Sequence, residues 1–158
     1  MSWALCTGIA LPLYELPTAL HGTSEVAPRI HVRGELEEVQ FHWWNVPAVL
    51  PVRWHGRIQL LRWGSKSRRS RLPLGGWIPE ERIESGRFAG AEPEPVIIPA
   101  VLGHHSGMWF VINTGIRGAV ICDAGGPVVY MLTKRSTNYY RNMTEQAGTM
   151  PVFVDQVI

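Results

Sequence analysis

The amino-acid sequence predicts a β-rich α+β fold in a single domain over residues 1–158. The expected architecture is a twisted antiparallel or mixed sheet, or an open barrel, with a few short helices. Three observations favour it. The chain is 46% apolar and only 18% charged, which is enough apolar material for a hydrophobic core. Its 16 glycines and 12 prolines indicate frequent turns and few long helices. Short runs rich in valine and isoleucine lie between those turn residues.

The apolar runs predict seven strands, because β-branched residues fit a pleated sheet and Gly, Pro, Asn or Asp bound each run. The runs span residues 48–54, 57–63, 95–101, 108–113, 118–122, 128–133 and 151–157. His55-Gly56 predicts a tight hairpin between the first two of them. Residues 123–127, which include Gly125-Gly126, predict another connection between strands rather than a phosphate-binding loop, since no Lys-Ser/Thr pair follows.

Helical signals are weaker than strand signals. Helices are expected over residues 13–20 and 137–146, and Ser136 or Thr137 would cap the second. Polar linkers are expected over residues 65–71 and 88–95.

The basic residues are almost all arginine, although the formal net charge is only +2. Lys66 and Lys134 are the lysines among 15 basic residues. A guanidinium group binds phosphate in a planar fork and stacks on bases, which favours a polyanionic partner. A GC-rich genome explains the excess of arginine equally well.

The two cysteines, Cys6 and Cys122, form neither a metal-ligand spacing nor a disulfide framework, and both are expected to be reduced and buried. The first 20 residues lack a basic start and are interrupted by Pro12, Glu15 and Pro17. Neither a signal peptide nor a transmembrane helix is therefore predicted, and we expect a cytoplasmic location with no membrane partner.

Segment 41–85 interleaves tryptophans with basic residues. Its prominent members are Trp43, Trp44, Arg53, Trp54, Arg57, Arg62, Trp63, Lys66, Arg68, Arg69, Arg71 and Arg82. Single-stranded nucleic acid sites use this combination, because bases stack on aromatic rings and guanidinium groups hold the backbone. The simpler interpretation is that the tryptophans belong to the core and the basic run is a solvated loop.

An ordered series of short motifs runs over residues 44–154. The stretches are Trp44-Asn45-Val46-Pro47, Leu50-Pro51-Val52, Leu60-Leu61-Arg62-Trp63-Gly64, Arg82-Ile83-Glu84-Ser85, Val96-Ile97-Ile98-Pro99-Ala100, Met131-Leu132-Thr133 and Met150-Pro151-Val152. In their order they resemble the motifs of the SRAP family, the SOS-response-associated peptidase-like proteins, and this resemblance favours the first interpretation. The resemblance implies an SRAP-like fold that binds single-stranded or abasic-site DNA in a DNA damage response.

The family's covalent chemistry depends on residues that this chain has mostly replaced. Family members capture an abasic site through an N-terminal cysteine, helped by an asparagine, a glutamate and a histidine. Asn45 matches the asparagine, His105 or Ser106 stands in place of the glutamate, and Ala147 stands in place of the histidine. Residue 2 is Ser2, whose hydroxyl is a far weaker nucleophile than a thiolate.

The resulting hypothesis is a divergent SRAP-like protein that binds single-stranded or abasic-site DNA and has lost or altered covalent capture. The expected DNA contacts are Arg53, Arg62, Arg68, Arg69 and Arg82 for phosphates and Trp43, Trp44 or Trp63 for stacking, with Trp63 the best candidate for the core. Asn45, His105, Arg82 and the N-terminus should converge on one cleft.

Two alternatives remain open. The chain could be an enzyme with rebuilt chemistry, with Ser2 as nucleophile and His105 as base, or with Cys6 if the chain is cut or starts just before it. It could also be a non-catalytic accessory protein, for example of a phage or mobile element. His104-His105 has no Cys or acidic partner at ligand spacing, so neither a metal nor another cofactor is expected.

Overall fold

Two sheets form the protein. The computed structural model describes residues 5–84, 92–144 and 146–155. The strands are β1 (Gly8–Pro12), β2 (Ile30–Arg33), β3 (Leu36–His42), β4 (Val49–Trp54), β5 (Arg57–Trp63), β6 (Trp77–Pro79), β7 (Glu94–Ile98), β8 (Leu102–His105), β9 (Met108–Val111), β10 (Ile116–Asp123), β11 (Gly126–Arg135) and β12 (Thr149–Pro151). The α-helices are α1 (Glu80–Glu84) and α2 (Asn138–Met143), and 3-10 turns span Leu13–Glu15, Thr18–Leu20 and Ala27–Arg29.

The first sheet has five antiparallel strands in the order β2-β3-β1-β8-β9. The second has the order β10-β7-β4-β5-β11-β12, with β6 also paired to β11. Because β10 pairs with β11 as well as with β7, strands β10, β7, β4, β5 and β11 close into a barrel. The expectation of a β-rich fold with few short helices is confirmed, and the barrel is closed rather than open.

The largest buried cluster joins the two sheets, since it contains Ile9 and Phe41 from the first and Leu50, Trp63 and Met131 from the second. A second cluster, around Ile78 and Tyr130, lies on the opposite side of β11. Side chains alternate along a strand, so β11 is buried on both faces. That explains its nearly continuous apolar run.

The predicted strands agree with the structure where an apolar run has clear turn residues at its ends. The 48–54 and 57–63 runs are β4 and β5, and His55-Gly56 closes their hairpin with φ of 52° and 76°. The 95–101 run ends early, at Ile98, because Pro99 has no N–H to continue the ladder. The predicted strand over 151–157 is wrong, since β12 spans Thr149–Pro151 and residues 156–158 lie outside the described residues.

The helix predictions were less accurate. The predicted helix over 13–20 is wrong: two separate 3-10 turns occupy it, because Leu16 is extended before Pro17. The second helix is α2, where the Thr137 hydroxyl accepts a hydrogen bond from the Tyr140 N–H at 3.2 Å, as expected of a cap. The 65–71 segment is a loop, whereas only part of the 88–95 linker is described and β7 begins at Glu94.

Trp63 and Gly64 hold the barrel to the loop that follows β5. The Trp63 indole N–H donates to the Gly76 carbonyl oxygen at 2.9 Å, and the Gly64 N–H donates to the Val129 carbonyl oxygen at 2.8 Å. Ser65 and Gly75 exchange two backbone hydrogen bonds, so the 65–75 loop closes on itself. Gly64 has φ of 64°, and a side chain there would collide with Gly75.

We therefore predict that Gly64→Ala destabilises the protein by about 3 kcal/mol or more, because the new methyl group adds a collision to the cost of a positive φ. Gly56→Ala is the matched control: Gly56 also has a positive φ, of 76°, but its Cβ would face open space. It should cost only about 1 kcal/mol. Urea denaturation measures both, and equal losses would contradict the role given to Gly64.

Candidate functional site

Positive charge is concentrated in one part of the chain. Residues 39–79 contain seven basic residues and no acidic residue, whereas the remainder contains eight basic and all 13 acidic residues. The overall net charge of +2 therefore conceals a segment that carries +7. This segment runs from the end of β3 through β4, β5 and the 65–75 loop to β6.

An exposed aromatic surface adjoins the start of this segment. We define the Trp44 surface as Trp44, His42, His104, Trp109 and Arg33. The Trp44 ring stacks on the His42 ring with centroids 4.3 Å apart and planes 15° from parallel. Its side chain is 58% exposed, so its ring is accessible from solvent although one side rests on His42.

The register of the first sheet brings these rings together. Gly8 on β1 lies opposite both His42 on β3 and His104 on β8, and Trp109 on β9 pairs with His104. A Cβ on Gly8 would strike the His42 ring, so glycine leaves room for the two imidazoles to meet, 5.2 Å apart. Sequence reasoning missed His42, His104, Trp109 and Arg33 as site residues, because only pairing across the five strands of the first sheet joins them.

The histidines of the Trp44 surface are uncharged near neutral pH. Burial, followed by the nearby His104 and His31, lowers the pKa of His42 to about 4. Burial also lowers the pKa of His104. The Nδ1 atoms of His42 and His104 are buried without a hydrogen-bond partner. The Trp44 ring is therefore supported by neutral rings.

Two cations lie over tryptophan rings, Arg33 over Trp109 and Lys66 over Trp43. The Arg33 guanidinium is 5.5 Å from the Trp109 ring centroid and forms a bidentate ion pair with Glu38. The Lys66 ammonium is 4.5 Å from the Trp43 ring centroid and donates to the Trp43 carbonyl oxygen at 2.7 Å. Trp43 is half-buried and packs edge-on against Trp63, which is in the core as expected.

Asn45 stabilises the turn that presents Trp44. Its Oδ1 accepts hydrogen bonds from the His42 N–H at 2.8 Å and from Arg29 Nε at 3.3 Å. Asn45, Arg62 and Lys66 line a shallow pocket with a volume of about 230 Å³. This amide is therefore occupied in holding the loop between β3 and β4.

The expected phosphate contacts are not all adjacent to this pocket. Arg62 lines it, and Arg68 and Arg69 are exposed in the loop that begins at Ser65. Arg53 pairs opposite Ile58, near the turn of the β4–β5 hairpin, about 13 Å along the strand from Arg62. Arg82 is half-buried on α1, where its side chain already has a partner.

Cys6 and His105 are both buried, and each lies near Tyr140. His105 is 1% exposed, and its Nδ1 is 3.2 Å from the Tyr140 hydroxyl. The Cys6 thiol donates to the Gly8 carbonyl oxygen, and burial raises its pKa to about 12. The thiol therefore stays protonated near neutral pH, so it is not an activated nucleophile. Burial, then the nearby His104, lowers the pKa of His105.

The structure brings together only some of the residues expected in one cleft. The Trp43 N–H donates to the Thr7 carbonyl oxygen at 2.8 Å, so the first described residues lie beside the Asn45 loop. His105 follows His104 on β8 and points to the opposite face of the first sheet, away from His42. Ser2 lies outside the described residues.

The structure shows where the two cysteines lie. Cys6 is buried as expected, but the expectation for Cys122 is wrong: it is exposed because it lies at the turn end of the β10–β11 hairpin, beyond the core. Among the described residues, no group of three or more His, Cys, Asp or Glu side chains is placed to hold a metal ion. Within the same residues, no helix has the length and apolar character to cross a membrane.

Comparison of the chain with models of known protein families, with curated proteins and with solved structures finds no match. The resemblance to the SRAP family therefore stays a prediction from the sequence motifs.

The pKa of His42 predicts how stability depends on pH. An unfolded histidine has a pKa of 6.5 and the folded one about 4, so the unfolded state binds the proton first as pH falls. The free energy of unfolding should decline between pH 6.5 and 4. His42→Phe, which keeps a ring beneath Trp44, should reduce that decline by about 1–2 kcal/mol after allowance for solvent screening. Urea titrations at several pH values measure the decline in the free energy of unfolding.

His55→Gln, at an exposed turn, is the control. A decline in His42→Phe that equals the decline in the wild type would contradict the role given to His42.

The two thiols should differ in reactivity. In the native protein, a disulfide reagent such as dithionitrobenzoate should modify Cys122 and leave Cys6 unreacted, because burial protects the Cys6 thiol and keeps it protonated. Cys122→Ser should abolish the rapid reaction until denaturant is added. Rapid release of thionitrobenzoate by Cys122→Ser would show that Cys6 is accessible and reactive.

Proposed function

We propose that this protein binds single-stranded DNA without forming a covalent bond to it. The observation that carries the proposal is the exposed Trp44 ring, stacked on His42 next to a segment that has seven basic residues and no acidic ones. A base stacks on the accessible ring of Trp44, and Lys66, Arg68 and Arg69 contact the phosphates. Sites of this kind bind single strands with little sequence preference.

The structural support for stacking lies in how Trp44 is held. His42 and His104 contact its ring from below and from the side, with centroids 4.3 and 5.6 Å away, and Asn45 fixes the turn beneath it. A ring that is already oriented loses less side-chain entropy on binding than a free one. Trp43, by contrast, is half-buried against Trp63 and contributes to this support rather than to stacking.

We propose DNA as the ligand because of the resemblance to the SRAP family. The same resemblance is the reason for considering DNA that contains an abasic site. An abasic strand leaves a gap in the base stack, and a protein that captures it needs a nucleophile. The buried Cys6 thiol, with its pKa of about 12, does not meet that need. We therefore propose binding alone, and a denaturing gel of protein with abasic DNA should show no retained band.

Trp44→Ala should weaken the binding of oligo(dT) by about 1–3 kcal/mol, the usual worth of one base stacked on an aromatic ring. Fluorescence anisotropy of a labelled strand measures the affinity. Tyr14→Ala is the matched control: Tyr14 is 70% exposed but follows the far end of β1. Equal affinities for wild type and Trp44→Ala, or equal losses in both variants, would refute stacking on Trp44.

The basic residues of the 65–75 loop lead to a second prediction, on how the affinity for single-stranded DNA depends on salt concentration. Arg68→Gln with Arg69→Gln should flatten the slope of log affinity against log salt concentration by about 1.4, because each phosphate contact on a single strand releases about 0.7 counterion. Arg135→Gln, at an exposed position on the end of β11, is the control and should leave the slope unchanged. An unchanged slope in the double variant would show that Arg68 and Arg69 do not contact the phosphates.

A further inference from the structure

A cavity of about 700 Å³ lies between β9 and the helix α2, and Trp109 is the residue that it shares with the Trp44 surface. Strand β9 and the residues that follow it, 108–114, form one wall. Tyr140 and Met143 of α2 form the opposite wall, together with Phe153 and Asp155. We call this cavity the β9 slot.

The slot follows the edge of the first sheet rather than either of its faces. Successive side chains of a strand point to opposite faces, so a cavity over one face would contact alternate residues. The slot instead contacts every residue from Met108 to Thr114. The inner edge of β9 pairs with β8, so the slot lies along the outer edge. Among the described residues no strand pairs with that edge.

Backbone groups of β9 point into the slot. The Ile112 N–H donates to the Val101 carbonyl oxygen at 2.9 Å, which places its hydrogen bond on the inner side. Successive residues of an antiparallel strand direct their backbone N–H and C=O groups to opposite edges. The N–H and C=O groups of Trp109 and Val111 therefore point outward. An edge with such groups is a template for another strand.

The slot fits an extended peptide in size. A strand residue in a packed sheet occupies about 160 Å³, from its rise, the strand spacing and the sheet spacing, so the slot has room for about four residues. Most of the side chains that α2 and the residues after it contribute to the wall are aromatic rings and thioethers, which accept apolar side chains of varied shape. Asp155 is the one charged side chain among the described residues that line the slot, which favours a basic residue in the occupant.

The opposite edge of the sheet lacks these features. Strand β2 also has an outward N–H, at Val32, since Arg33 pairs with Leu36 across the two-residue turn. Val32 is 71% exposed and Val111 is 76% exposed, so the two valines are similar positions. Among the residues that the structure describes, none of β2 lines the slot.

We propose that the β9 slot binds an extended peptide segment of a partner protein, which pairs with β9 and places apolar side chains against α2 and a basic residue beside Asp155. This is strand addition, in which backbone hydrogen bonds supply affinity and the wall supplies selectivity. Pairing of β9 with β9 of a second copy does not fit, because each β9 is bordered by its own α2.

The test begins with a library of short random peptides displayed on phage and selected against the immobilised full chain. The enriched sequences should alternate apolar residues and include a Lys or Arg. The consensus peptide, labelled with fluorescein, is then titrated with wild type and variants. Val111→Pro removes an outward N–H without removing a bond to β8, and should weaken binding about fivefold to tenfold. Val32→Pro makes the same change at the other edge and should bind as wild type does.

Two further measurements do not depend on a proline being tolerated. Asp155→Asn should weaken binding of the consensus peptide but not of its Lys→Gln analogue. In the wild type, the peptide should slow hydrogen exchange at the Trp109 and Val111 amides. Absence of any enriched peptide, equal affinity of Val111→Pro and Val32→Pro when both are folded, or unchanged exchange at those two amides would overturn the proposal.

Discussion

The indole N–H of Trp63 donates to the Gly76 carbonyl oxygen inside the core, and three parts of the structure meet at that bond. Trp63 is 2% exposed, so an unpaired N–H there would cost the full penalty of a buried donor. The bond ties the end of β5 to the start of β6, which encloses the 65–75 loop. The same ring contacts Trp43 and Trp77 edge-on, which orients the chain leading to Trp44. The barrel, the basic loop and the aromatic surface therefore share one anchor.

Sequence reasoning located this anchor without describing it. The Arg62-Trp63-Gly64 motif marked the core tryptophan, and short apolar runs bounded by turn residues marked β4 and β5 with nearly correct ends. It missed β1 and β3, although Gly8 and Phe41 lie in the central strands of the first sheet. The many charges near the start of β3 and the glycine in β1 weaken the local strand signal. Barrel closure also depends on β10 pairing with β11 and β7, which no local pattern specifies.

Sequence reasoning likewise identified some residues of the candidate site and missed others. Trp44 was identified from composition, and its exposure agrees with a binding role. His42 and His104 were not, because they become neighbours only through their shared partner Gly8. The motif comparison pointed to Asn45, His105 and the N-terminus as a catalytic group. In the structure Asn45 holds a turn, and His105 and Cys6 are sealed in the core beside Tyr140. The burial of His105 and Cys6 is the reason that we propose binding rather than catalysis.

The most direct test of that conclusion is a fluorine NMR titration of protein labelled with 5-fluorotryptophan. The chain has seven tryptophans, and substitution of each by phenylalanine assigns the signals. On addition of oligo(dT), the account predicts the largest shift at Trp44, a smaller one at Trp109, and none at Trp54 near the turn of the β4–β5 hairpin. A shift at Trp54 without one at Trp44, or no shift at any tryptophan under conditions that saturate binding, would contradict it.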